Sequence, residues 1–147
     1  MDQRRKVAVE YLRTFLLVPY LWGGDDFSAV DCSGLSIEIL KAVGILPHKF
    51  DATANDLYLK FKNSKTDDPQ PGDLVFWFSS GTGKAIHVEM ISYVFDDIIF
   101  TIGSSGGGSK TKTIQDAVRD NAFVKIRPVI YRGPNYKIVD PFYKEPD

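Results

Sequence analysis

The chain has 147 residues, 44% hydrophobic and 25% charged, which suits a single soluble domain, 1–147, with one ordinary core. A net charge of −1 leaves no basic footprint and argues against a nucleic-acid partner. No stretch approaches the roughly eighteen apolar residues of a membrane span, so no membrane insertion is expected.

In chain order, residues 3–17 predict a helix, with Val7, Tyr11, Leu12, Phe15 and Leu16 on one face and Pro19 as its stop. Glu10 and Arg13 interrupt the apolar run, so it does not read as a secretory leader. The expectation for localisation is synthesis in a cytoplasm. Residues 18–31 read as a loop around Gly23-Gly24. A second helix is expected from about Ser33 to Val43, stopped by Gly44 and Pro47. A third runs from Thr53 to Phe61, with Thr53 as cap and Asp56 at its third position. The turn cluster 67–73 then hands over to strands at Leu74–Phe78, Ile86–Val94 and Ile98–Ile102, the last two joined across Asp96-Asp97. Gly103–Ser109 reads as a loop, and Thr113–Asp120 as one or two helical turns. Phe123–Tyr131 reads as a strand that Pro128 assigns to an edge or bulge. The tail after Arg132 reads as irregular. Helices first and strands later predict an α+β fold on an antiparallel sheet.

The single cysteine lies in Asp31-Cys32-Ser33-Gly34, at the start of the second helix. A lone Cys is either an inert buried thiol or a reactive one. A helix N-terminus favours the thiolate, the nucleophilic form. A nucleophilic Cys needs a base, and the chain has two histidines. His48 stands at the far end of that helix, roughly 15 Å away by the helical rise. By elimination the base is His87, on the Ile86–Val94 strand, with the helix N-terminus carrying the nucleophile packed on the sheet. Gly81-Thr82-Gly83-Lys84-Ala85 lacks the spacing and hydroxyl of a phosphate loop. No zinc-ligand spacing is present.

Four stretches in order, Tyr20-Leu21-Trp22-Gly23-Gly24, Asp31-Cys32-Ser33-Gly34, Pro71-Gly72-Asp73-Leu74-Val75-Phe76 and His87-Val88, resemble the motifs of the NlpC-type cell-wall cysteine endopeptidases. The resemblance spans about residues 15 to 105. It implies a papain-like, circularly rearranged fold and hydrolysis of peptidoglycan stem peptides, usually at the bond between γ-D-glutamate and a diamino acid. Cys32 would form the acyl-enzyme, His87 would be the base, and no metal or organic cofactor would be needed. Tyr20 matches the tyrosine beside the active site and could face the developing oxyanion. Asp31 and Ser33 match positions that hold the substrate amine; each also reads as an ordinary cap or first-turn residue. Trp22 is a further substrate-side candidate, although a core role is the commoner one.

One departure concerns the group that orients the base. The family usually places a polar residue, commonly His, on the strand after the base strand, and that position aligns here with Ile102. Ser104, on the face of residue 102, and Glu89, on the face of His87, are the stand-ins, with a backbone carbonyl or water as alternatives. The glycine-serine run after Ile102 and the Asn121–Pro128 stretch look similar to phage and prophage members, which would place the protein on a virion or in a lysis system. Ile102 favours a second reading, a catalytically weak or inactive cell-wall-binding or phage structural module. A third is another amidase or acyltransferase on the same frame. If the tail covers the cleft, Tyr136, Phe142 or Tyr143 would line the channel.

Overall fold

Leu74-Val75-Phe76-Trp77-Phe78 is apolar at every position, and in the computed structural model both of its faces are covered. The structure describes residues 2–143 apart from Gly24, Phe27 and Ser28. Its elements are α1 (Gln3–Arg13), β1 (Asp25–Asp26), β2 (Ala29–Val30), α2 (Cys32–Ala42), α3 (Ala54–Phe61), β3 (Leu74–Phe78), β4 (Ala85–Phe95), β5 (Ile98–Ser105), α4 (Ile114–Asp120), β6 (Phe123–Pro128) and β7 (Tyr136–Val139). Short 3-10 turns span Lys62–Ser64 and Val129–Arg132. Strands β3 to β7 form one antiparallel sheet in the order β6-β5-β4-β3-β7, and β1 pairs with β2 in a small ribbon.

Helices α1, α2 and α3 cover one face. Leu12 and Phe15 after α1's start, Leu35, Ile39 and Leu40 of α2, and Leu57 of α3 pack with Leu74, Phe76, Val88, Met90, Ile102 and Val124 from the sheet. The alternate residues Val75, Trp77 and Ile91 face the other way, into a smaller cluster closed by Val129 and edged by Tyr131 and Tyr136. Period-two alternation therefore puts apolar residues on both sides of β3, as in any strand covered twice.

The capping boxes of α3 and α4 form as the sequence implies: Thr53 with Asp56, and Thr113 with Asp116. Asp96 and Asp97 both take positive φ, 53° and 63°, in the two-residue turn between β4 and β5. β6, carrying Pro128, is an edge strand.

Five expectations are corrected. The first helix ends at Arg13, four residues short of Leu17, whose φ of 71° is left-handed and whose N–H bonds the Val124 carbonyl. The loop 18–31 contains the β1–β2 ribbon. β5 continues through Gly103 and Ser104 into the expected glycine-serine loop, because β6 pairs with it as far as Ser105. The strand expected over Phe123–Tyr131 stops at Pro128 and gives way to a 3-10 turn at Val129–Arg132. The tail after Arg132 is not irregular: Tyr136–Val139 adds β7 alongside β3.

The Pro71-Gly72-Asp73 turn has a structural role. Arg5 of α1 donates to Asp73 at 2.8 Å, to the Pro71 carbonyl at 2.8 Å and to Asp140 at 2.6 Å, with its guanidinium 4.7 Å from the Phe142 ring centre. Gly72, at φ 95°, leaves room for this side chain; a Cβ there would lie 2.9 Å from Arg5 Cγ.

Candidate active site

Asp31 caps α2, and that cap sets the position of the sulfur. One carboxylate oxygen accepts from the Gly34 N–H at 2.7 Å and the other from the Gly23 N–H at 3.1 Å. Gly23 adopts φ 77°, so the approach loop turns where a Cβ would be strained. Gly24, its partner in the motif, lies outside the described residues. Cys32 is the first residue of α2 and the only cysteine, unpaired and half-buried.

β4 brings His87 to the same place. A cavity of about 660 Å³ is lined by Tyr20, Trp22, Asp31, Cys32, Ser33, His87, Ser104 and Arg132, with the 51–56 segment forming a further wall. The backbone N–H of Val88, next to His87, lowers the Cys32 thiol pKa. Cys32 and His87 thus line one cavity although 55 residues separate them in sequence. His48 is not among the lining residues. Neither are Tyr136, Phe142 and Tyr143: Tyr136 packs on Trp77, Phe142 is buried against Arg5, and Tyr143 is exposed.

The polar group that holds the His87 ring lies on its own strand. His87 Nε2 lies 2.6 Å from Glu89 Oε2, with both residues buried. Thr101 donates to the other Glu89 oxygen at 2.7 Å, and the Tyr131 hydroxyl donates to Oε2. With Nε2 engaged by the carboxylate, Nδ1 is left as the ring's acceptor.

Ile102 does not occupy the orienting position. It pairs with Met90 and points into the helix-side core, on the opposite face from Glu89. The β5 residue beside Glu89 is Gly103, and a Cβ there would come 2.1 Å from Glu89 Cγ. The carboxylate thus fills the space that a side chain at 103 would need. Of the two stand-ins, Glu89 takes the Nε2 bond, while Ser104 is buried in the cavity wall.

The remaining candidates line the same cavity. Tyr20 is 5% exposed, its ring pressed face-on against Gly107, where a Cβ would come 2.3 Å from Cδ1, and clustered with Ala117 and Ala122. It is a ring-packed residue that also lines the cavity. Trp22 is not core: it is 58% exposed at the cavity rim. Asp31 is both helix cap and cavity wall.

Electrostatics correct one further expectation. Burial, then the Asp31 charge, push the Cys32 thiol up from 9.0 to about 11, against the lowering from backbone N–H groups and Arg132. The helix terminus does favour the thiolate, but desolvation wins. Burial lowers His87, opposed by Glu89. Burial would raise Glu89, but hydrogen bonds from His87, Tyr131 and Thr101 hold it below its ordinary range. The free site therefore rests as thiol, neutral imidazole and carboxylate. Burial, Cys32 and Asp31 together push the Tyr20 hydroxyl up to about 12, so it is a donor at neutral pH.

Sequence reasoning missed Thr101, Tyr131, Arg127, Arg132 and Gly103. The φ of Gly103 is not left-handed, so close approach and not turn geometry accounts for the glycine. Among the described residues no group of three or more His, Cys, Asp or Glu could hold a metal ion, and no helix is long and apolar enough to cross a membrane.

A helix-capped cysteine and a strand histidine lining one cavity beside a five-stranded antiparallel sheet define an α+β arrangement. The NlpC/P60 family profile matches residues 17–127, and the chain belongs to that family. It is 28% identical over 131 residues to the gamma-D-glutamyl-L-lysine dipeptidyl-peptidase of Bacillus subtilis (strain 168), covering 86% of this chain and 43% of that protein. It is 32% identical over 85 residues to a probable endopeptidase of Mycobacterium tuberculosis (strain ATCC 25618 / H37Rv), covering 57% of this chain and 21% of that protein. The chain therefore spans less than half the length of these curated relatives. Among solved structures, an NlpC/P60 family protein from Bacillus cereus ATCC 10987 superposes with a TM-score of 0.70 at 24% identity, over 95% of this chain and 40% of that one. The P60 domain of the M. avium subspecies paratuberculosis antigen MAP1204 superposes with a TM-score of 0.63 at 23% identity, over 97% of each chain. These likenesses establish the fold.

Proposed function

We propose that this protein is a cysteine peptidase that hydrolyses peptidoglycan stem peptides at the bond between γ-D-glutamate and the following diamino acid. The observation that carries the proposal is the buried 2.6 Å contact between His87 Nε2 and Glu89, in a cavity that Cys32 also lines. Such a carboxylate holds the imidazole in one tautomer and stabilises the imidazolium when it forms. The activity named for the Bacillus subtilis relative supports the choice of bond.

In this mechanism, His87 Nδ1 takes the thiol proton as Cys32 Sγ attacks the scissile carbonyl carbon. The tetrahedral oxyanion meets donors at the α2 N-terminus and the Tyr20 hydroxyl. Collapse breaks the C–N bond, and His87 gives its proton to the departing amine. Water, deprotonated by His87, then cleaves the thioester and restores the thiol. Asp31 and Ser33 hold the substrate's N-terminal ammonium, and Trp22 forms the rim. An ammonium beside Asp31 offsets the charge that raises the Cys32 pKa, so substrate favours the nucleophilic form.

Synthetic L-Ala-γ-D-Glu-diamino-acid peptides incubated with wild type and Cys32→Ala, with products read by mass spectrometry, test the proposal. Release of the N-terminal dipeptide by wild type alone is expected. Cleavage that survives in Cys32→Ala overturns the mechanism. The protonated resting thiol favours a second reading, a cell-wall-binding module; wall binding by wild type without any released product would establish that one. Delivery from a virion or at lysis belongs to the same proposal, and fractionation of a lysing culture tests it.

A further inference from the structure

We propose that Tyr131 is a positioning residue for the His87 base, its hydroxyl fixing the Glu89 oxygen that holds the imidazole. The inference rests on the reading above, in which His87 is the base.

Three observations carry it. Tyr131 donates to Glu89 Oε2, the same oxygen that His87 Nε2 contacts, whereas Thr101 takes Oε1. One carboxylate oxygen therefore serves hydroxyl and imidazole together, and its lone pairs fix their relative directions. Second, the hydroxyl is itself polarised. Arg127 Nη2 donates to the Tyr131 oxygen at 3.1 Å, and its guanidinium lies 3.8 Å from the ring centre. The chain Arg127, Tyr131, Glu89, His87 is a run of donors and acceptors that passes from a part-buried end to a buried one, where each bond strengthens the next. Third, the ring has its own anchorage. It packs 6.1 Å from Trp77, whose indole lies 5.5 Å from the His87 ring, beside buried Val129.

Ring packing alone would be served by phenylalanine. Two donors, His87 and Thr101, already satisfy Glu89 in part. What the Tyr131 hydroxyl adds is withdrawal of negative charge from Oε2, which keeps the His87 ring less basic and its Nδ1 available as an acceptor. The charged and titratable groups around His87 are Glu89 on its own strand, Arg127 from β6, Tyr131 and Arg132 from the 3-10 turn, and Cys32 with Asp31 at the start of α2.

The test is the NMR titration of the His87 ring in the full chain, with His48 as internal reference, in wild type, Tyr131→Phe, Glu89→Gln and the double variant. In Tyr131→Phe the carboxylate loses a donor. The His87 midpoint is expected to rise by about half a unit to one unit. The acid limb of kcat/KM should follow it upward, and kcat should fall about tenfold with little change in KM. An unmoved midpoint in a folded Tyr131→Phe protein overturns the proposal. So does an equal shift in the Glu89→Gln background, since the effect would not pass through Glu89. Should Tyr131→Phe fail to fold, Arg127→Lys keeps the charge and removes the planar donor. A smaller rise supports the proposal and none overturns it. The titration needs no substrate: a wild-type protein that cleaves nothing sinks the peptidase reading, whereas an unmoved titration sinks the role of Tyr131.

Discussion

At the scale of single residues, the sulfur and the glycine opposite Glu89 carry the sharpest consequences. Cys32 sits at about 11 in the free protein. Its alkylation by iodoacetamide should therefore be slow at pH 7 and rise with a midpoint above 9. Asp31→Asn removes the charge that contributes to this shift while keeping a competent N-cap. A lower midpoint is expected, and an unchanged one would assign the shift to burial alone. Gly103→Ala forces a Cβ into Glu89. It should cost about 1–3 kcal/mol in chemical denaturation, as overpacking does, and should disturb the His87 titration, although residue 103 contributes no functional group.

At the scale of elements, α3 is the wall that local signals specify best. Its capping box formed as Thr53 and Asp56 imply, and Asn55 accepts from the Ala85 N–H at 3.0 Å, tying the helix to the start of the base strand. Thr53→Ala should cost about 1 kcal/mol in thermal unfolding and raise KM, since Thr53 and its neighbours Ala52 and Ala54 line the cavity. The contrast with β5 and β7 explains what was legible. Capping boxes, the Asp96-Asp97 turn and the edge position of Pro128 depend on neighbours within a few residues, so the sequence displays them. The extension of β5 depends on β6 some twenty residues on, and β7 exists because β3 offers it an open edge. The site divides the same way. Cys32, His87 and Glu89 were reachable from helix-start position, elimination and period-two alternation. Tyr131 lies 42 residues from Glu89, and no local pattern links them. The charge state of Cys32 is not legible in the sequence, because the helix terminus is visible there and desolvation is not.

At the scale of the whole molecule, the Arg5 cluster joins the first helix, the turn before β3 and the last described segment. Asp73 is fully buried and Arg5 nearly so. Arg5→Met leaves the Asp73 carboxylate without its cation, and a loss of about 3–5 kcal/mol is expected. For a chain of this length that lowers Tm by roughly 10 °C or more. A single cooperative transition at the lower temperature would show that the tail unfolds with the core; an early, separate loss of the tail would show that it does not.

The arrangement of Glu89 against Gly103 also constrains descent. A carboxylate at 89 leaves no volume for any side chain at 103, so the two positions cannot change independently. A chain that keeps Glu89 must keep glycine at 103, and one that gains a side chain at 103 must first shorten residue 89. Among related sequences, a carboxylate at 89 is therefore expected to travel with glycine at 103.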